Sequence, residues 1–250
     1  MEYISTLLQP AYLIPLFVVF FSAFVQAITG FGLVILAAPL LMLFFEAKET
    51  ILITLLIAIC SNTAQTPLIY KDANRRLVHW LFIGAIAGMP LGLFVYHGVS
   101  NSMLKIVISM AILGFLIISR FLQLRFQETT KKSLAAGLLS GLFYTTTGMG
   151  GIPLILYTSH MDMTPKMMRG TSILYFFFGN FFSFCAFYLS GTSFAYAGHM
   201  ALYLLPGLFL GLALGQLTFP YIPVRVFRRM VFGLLYIACF YSLYNAVMAL

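Results

Sequence analysis

Two short strings could do chemistry. Thr29-Gly30-Phe31-Gly32 and, 118 positions later, Thr147-Gly148-Met149-Gly150-Gly151 set glycines inside apolar runs that otherwise read as helix. Gly, and the Pro153 that follows the second string, weaken helix, so each run is expected to break into two half-helices at membrane depth. A half-helix starting after Gly32 or Gly151 would present backbone N–H groups and the positive end of its dipole. That arrangement holds anions. Around these strings the polar inventory is uncharged. Gln26, Thr29, Asn62, Thr146, Thr147 and Asn180 can donate hydrogen bonds without carrying charge, and with Gly30, Gly32, Gly148, Gly150 and Gly151 they are the candidate substrate-binding residues. Asn62 and Asn180 read equally well as hydrogen-bond glue between helices.

Other chemistries lack their residues. The six acids, Glu2, Glu46, Glu49, Asp72, Glu128 and Asp162, all fall at the terminus or in breaks between apolar runs, which argues against a carboxylate cation site or proton relay. No HExxH, GxSxG or Walker A string occurs, and Gly137-Leu138-Leu139-Ser140-Gly141 has the wrong spacing for a nucleophile elbow. The chain is therefore expected not to be an enzyme, and transport energised by its own ATPase is excluded. Cys60, Cys185 and Cys239 are far apart in apolar runs, which supports neither disulfides nor a metal site. No cofactor is implied. His79, His97, His160 and His199 fall near the ends of runs, where an amphipathic ring at the membrane interface is expected.

The elements that must position these residues follow from composition. Of 250 residues 62% are hydrophobic and only 8% charged, with a mean hydropathy of +1.00, where a soluble domain carries about 25% charged residues. The chain is a membrane protein. Apolar runs occupy about 11–45, 50–70, 77–96, 103–123, 134–159, 168–190, 198–219 and 226–250. The opening MEYISTLLQPAY has no positive segment ahead of its apolar run, so a cleaved signal peptide is not expected. The net charge of +8 is spread over short loops and implies no nucleic acid.

The two halves look duplicated. The 118-residue shift that superimposes the glycine strings also places Ser140 over Ser22 and Asn180 over Asn62, and Gly84, Gly88 and Gly92 match Gly207, Gly211 and Gly215 at a shift of 123. These stepped glycines read as close helix packing. The basic segment LRFQETTKKS separates the halves, giving a first repeat at 1–125, a cytoplasmic linker at 126–133 and a second repeat at 134–250. Loop charge sets the topology. If every run crosses once, Lys and Arg divide seven to seven. If the first and fifth runs enter and return to the same side, Lys71, Arg75, Arg76, Arg120, Arg125, Lys131, Lys132, Lys166, Arg169, Arg225, Arg228 and Arg229 share one side, against Lys48 and Lys105. That bias predicts an all-α polytopic membrane protein of two inverted repeats, each a broken or re-entrant first helix plus three transmembrane helices, with both termini extracytoplasmic.

QAITGFGLVILAAPLL, its counterpart GLLSGLFYTTTGMGGIPLIL, the RGTS string from Arg169 to Ser172 and the two glycine-stepped runs together resemble the sulfite exporter TauE/SafE family of membrane transporters over essentially the whole chain. Leu33 after Gly32 departs from the full GxGG that the second half carries. The resemblance implies transport of small sulfur-containing or organic anions such as sulfite or sulfonates, driven by an ion gradient, and places Gly148 to Gly151, Thr171 and Ser172 beside the substrate. The expectation is a secondary transporter, an exporter, working by alternating access in the cell membrane, a bacterial inner or plasma membrane. Its partners are a small anion and the bilayer, and a homodimer is allowed. A passive anion channel on the same scaffold, or an intramembrane enzyme or assembly factor, are the rival readings.

Overall fold

The computed structural model describes residues 10–121 and 128–218. Among them there is no strand, and these residues form nine α-helices: α1 (Pro10–Thr29), α2 (Leu33–Leu41), α3 (Ala47–Ile69), α4 (Arg75–Gly98), α5 (Asn101–Phe121), α6 (Thr130–Thr147), α7 (Gly151–Thr158), α8 (Pro165–Leu189) and α9 (Ala195–Thr218). Five stretches, Ala47–Asp72, Arg75–Gly98, Asn101–Ile118, Pro165–Leu189 and Ala195–Thr218, are long and apolar enough to cross a membrane. The last apolar run, 226–250, lies outside the described residues, as do Arg125, Arg225, Arg228 and Arg229. Helix α6 starts at Thr130, inside the segment read as a linker, because nothing in Thr130-Lys131-Lys132-Ser133 breaks a helix.

Both first runs break where the glycines fall, so α1 and α2 are separated by Gly30-Phe31-Gly32, and α6 and α7 by Gly148-Met149-Gly150. Two of the long helices, α4 and α8, start with polar side-chain caps. The Asn74 side chain accepts from the Leu77 amide at 3.1 Å at the start of α4, and Thr164 accepts from Met167 at 3.2 Å at the start of α8. Neither α2 nor α7 has a side-chain cap at its N-terminus.

Hydrogen bonds and ion pairs sort the loops onto two ends of the bundle. At one end Asp72 pairs with Lys166 at 3.3 Å, while the Asn74 side chain donates to Glu128 at 2.9 Å and its backbone amide donates to Thr171 Oγ1 at 2.9 Å. At the other end Asn101 bonds both Glu46 and the Lys48 amide, Lys48 sits over the Tyr96 ring, and His97 meets Ser190 at 3.1 Å. The first end collects Lys71, Arg75, Arg76, Lys131, Lys132 and Lys166. It is the basic end.

The stepped glycines decide how the helices meet. A Cβ on Gly84, Gly88 or Gly92 of α4 would strike backbone or threonine atoms of α6 at Leu134, Leu138, Leu142 and Thr145 in turn, while Gly137 and Gly141 of α6 abut Leu81 and Ala85. Residue numbers rise together along both helices, so α4 and α6 run parallel with backbones nearly touching. Gly207, Gly211 and Gly215 of α9 meet Leu16, Phe20 and Phe24 of α1 in the same parallel sense. Each glycine-stepped helix therefore packs on the broken helix of the other half. The pairs are crossed. Between them α3 packs against α8, whose Gly170 rests on Ile69 and Asp72 at the basic end.

Candidate functional site

The two turns are built alike. Gly30 has φ +82° and Gly148 φ +73°, the left-handed region that glycine reaches without steric cost. In each turn the preceding threonine braces the loop: Thr29 donates to the Val25 carbonyl at 2.9 Å and accepts from the Phe31 amide at 3.3 Å, and Thr147 donates to Phe143 at 2.9 Å and accepts from Met149 at 3.2 Å. The Phe31 carbonyl is an alternative acceptor for the same Thr29 hydroxyl proton. One position differs. Gly32 is again left-handed at φ +113°, whereas Gly150 has φ −57°. Gly150 is glycine for a different reason, since a Cβ there would run into the Tyr144 ring.

Between the turns lies a small cavity of about 30 Å³, lined by Gly32 to Ile35 at the start of α2, by Gly148, Met149 and Gly151 at the start of α7, and by Gln26, Tyr144, Phe176 and Asn180. No lining residue is charged. Both half-helix N-termini thus end without a side-chain cap at the same cavity, and their first-turn amides have no acceptor within their own helices except where Ile152 bonds Met149. Asn180 is 3% exposed. The Tyr144 hydroxyl, buried against Gly179, has no hydrogen-bond partner among the described residues. Gln26 is held from behind: its Nε2 donates to Asn62 Oδ1 at 2.9 Å and to Ser61 Oγ at 3.1 Å. On the second-half side Tyr175 donates to Ser140 at 2.6 Å, and Ser140 in turn donates to the Gly150 carbonyl, which fixes the turn ahead of α7.

The candidate residues fall into three places. Gln26, Gly32, Gly148, Gly151 and Asn180 line the cavity, while Thr29, Gly30, Thr147 and Gly150 shape the turns that bound it. Asn62 stands one layer back. Thr146 turns away, donating to the Gly92 carbonyl at 3.3 Å across the α4–α6 seam, and Thr171 accepts from the Asn74 amide at the basic end. Ser172 is fully buried with no partner for its hydroxyl among the described residues, and it is not among the lining residues. Tyr144 and the apolar wall of Leu33, Val34, Ile35, Met149 and Phe176 were not among the candidates. Tyr144 had a signal: it occupies the position matching Gln26 at the 118-residue shift. Arg169 was counted only as a loop cation. In the structure it is half-buried in the first turn of α8, and its aliphatic stem covers Gly30, where an added Cβ would lie 2.7 Å from Arg169 Cγ.

Long apolar helices enclosing a small uncharged polar pocket define a multi-pass membrane protein. The family of that protein is set by a family model, Sulfite exporter TauE/SafE, which matches residues 15–242, and the chain belongs to this family of anion-exporter-type membrane transporters. Searches of curated proteins and of solved structures returned no match.

Proposed function

We propose that the protein is a secondary transporter of small oxyanions such as sulfite or sulfonates, binding them between the starts of α2 and α7 and exposing that site to each side of the cell membrane in turn. The observation that carries this reading is the convergence of two uncapped half-helix N-termini on one cavity. Backbone amides and helix dipoles can hold a negative charge there without any arginine, and Asn180 and Tyr144 add neutral donors. At about 30 Å³ the cavity accommodates little more than a water-sized group. An anion of four or more heavy atoms therefore requires the turns to part, as an occluded intermediate between two open states would.

The crossed pairs support two inverted repeats as the architecture. Exchanging α1, α2, α3 and α4 for α6, α7, α8 and α9 turns the α4–α6 contact into the α9–α1 contact and leaves α3 against α8. The shared basic end of Lys71, Arg75, Lys131 and Lys166 supports a cytoplasmic location for that end, and with it extracytoplasmic termini and an α1–α2 unit that enters and returns on one side. Purified protein in liposomes loaded with unlabelled sulfite should take up labelled sulfite by counterflow. Uptake that dissipates with no counterflow would make the protein a channel, and no uptake of any sulfur oxyanion or sulfonate would sink the reading.

A further inference from the structure

The two halves place different side chains at equivalent positions beside the cavity. At the 118-residue shift Gln26, Ser61, Asn62 and Gln65 of α1 and α3 match Tyr144, Gly179, Asn180 and Ser183 of α6 and α8. In the first half these side chains bond one another: Gln26 donates to Asn62 and Ser61 as described, and Gln65 Nε2 donates to the same Ser61 Oγ at 3.0 Å. Ser61 is the hub. The atom of this set left buried without a partner among the described residues is Gln65 Oε1, an acceptor with nothing to donate to an anion. The Ser61 carbonyl, 3.4 Å from Gln65 Nε2, favours that orientation of the amide.

In the second half the hub is missing. Gly179 stands at the position of Ser61, and a Cβ there would strike the Tyr144 hydroxyl. The hydroxyls of Tyr144 and Ser183 are both buried without a partner among the described residues, and a buried donor is costly unless something pairs with it. The two are neighbours. The Tyr144 hydroxyl sits against Gly179, and Ser183 follows Gly179 by four residues and Asn180 by three, so it lies one turn further along the same face of α8, about 5–6 Å between Cβ positions. One oxyanion accepting hydrogen bonds of about 2.7–2.8 Å from each hydroxyl spans that gap.

We propose that the anion binds off the centre of the molecule, against the second half, between the hydroxyls of Tyr144 and Ser183 with Asn180 beside them, which makes Ser183 a binding residue. This placement rests on the anion-transport reading above. Ser183 stands outside the cavity's lining, so it marks the side toward which the cavity widens when the turns part. The equivalent set in the first half, bonded to itself, holds α1 to α3 instead.

Calorimetric titration of the purified full chain with sulfite and with methanesulfonate, paired with thermal unfolding in the absence of either, tests this. Ser183→Ala should weaken binding of both anions about tenfold, the order expected for one hydrogen bond to a charged partner. It should not lower the unfolding temperature, because the hydroxyl it removes bonds none of the described residues. Gln65→Ala should do the reverse, unfolding at lower temperature with affinity unchanged, since it loses the bond to Ser61. If Ser183→Ala does not fold, Ser183→Cys, of similar shape with a weak donor, is read against the same outcomes. Wild type that binds neither anion overturns the transport reading and this placement with it. Wild type that binds while Ser183→Ala binds equally well, or while Gln65→Ala loses as much affinity as Ser183→Ala, overturns the placement alone.

Discussion

At the scale of single residues, neighbours of similar chemistry divide into those that face the cavity and those that hold the frame. Asn180 lines the pocket, whereas Thr146, two residues before Gly148, donates to a carbonyl of α4. Asn180→Ala is expected to keep the fold and weaken anion binding about tenfold, since a hydrogen bond to a charged partner contributes roughly 1.5–3 kcal/mol and 1.4 kcal/mol is a factor of ten. Calorimetric titration with sulfite measures it. Thr146→Val should show the reverse, with affinity unchanged and stability lowered by about 1 kcal/mol for the lost hydrogen bond. Tyr144→Phe is the sharper case. The hydroxyl has no partner among the described residues, so its removal leaves none of their buried groups newly unsatisfied. A fully folded variant with weaker binding is expected, and unchanged affinity would remove Tyr144 from the site.

At the scale of elements, glycine plays two roles that sequence spacing does not separate. Gly88 of α4 is pressed against the Leu138 carbonyl, while Gly114 of α5 faces space. Gly88→Ala must push two parallel backbones apart, and overpacking of that kind costs about 1–3 kcal/mol, whereas Gly114→Ala should be neutral or stabilising by up to about 1 kcal/mol from helix propensity. Thermal unfolding of the two variants in detergent should move in opposite directions, and equal shifts would contradict the packing described. The spacing of Gly84, Gly88 and Gly92 made close packing legible in the sequence, as the glycine strings made the helix breaks legible. The partner was not legible. Nothing in the α4 sequence says that it packs on α6, because that contact joins positions about 50 residues apart and depends on which halves interlock. Gly150 was likewise recognisable as glycine-requiring, but its reason, the Tyr144 ring, exists only after α6 folds back over the turn.

At the scale of the whole molecule, the ends of the bundle carry the topology. Lys166 with Asp72, and Asn74 with Glu128, tie three loops into the basic end, while Asn101 with Glu46 ties the opposite end. Single cysteines at Thr130 and Asn101, introduced after replacement of the native cysteines, should be distinguished by an impermeant thiol reagent on intact cells, with Asn101 labelled and Thr130 protected. The opposite pattern would invert the proposed orientation. Charge in the sequence reached this grouping because short loops stay where they are placed, but Arg169 escaped it. A cation in the first turn of a helix counts as a loop charge in the sequence, and only the return of α1 to that level brings Gly30 against its stem.

The crossed pairing also sets an order of events during synthesis. Helix α1 meets its glycine-stepped partner only when α9 has been made, roughly 190 residues after Leu16, and at about 5–20 residues per second that is on the order of ten to forty seconds. Through that interval α1 stands in the bilayer without its glycine-stepped partner, tied to α3 through Gln26, whereas α6 finds α4 already waiting. The first half is thus the exposed party, and a quality-control protease has its opening there. Residues 1–125 expressed alone should turn over rapidly, and co-expression of 126–250 as a separate chain should lengthen their lifetime in a pulse-chase, whereas Gly211→Leu in the second chain should abolish that protection.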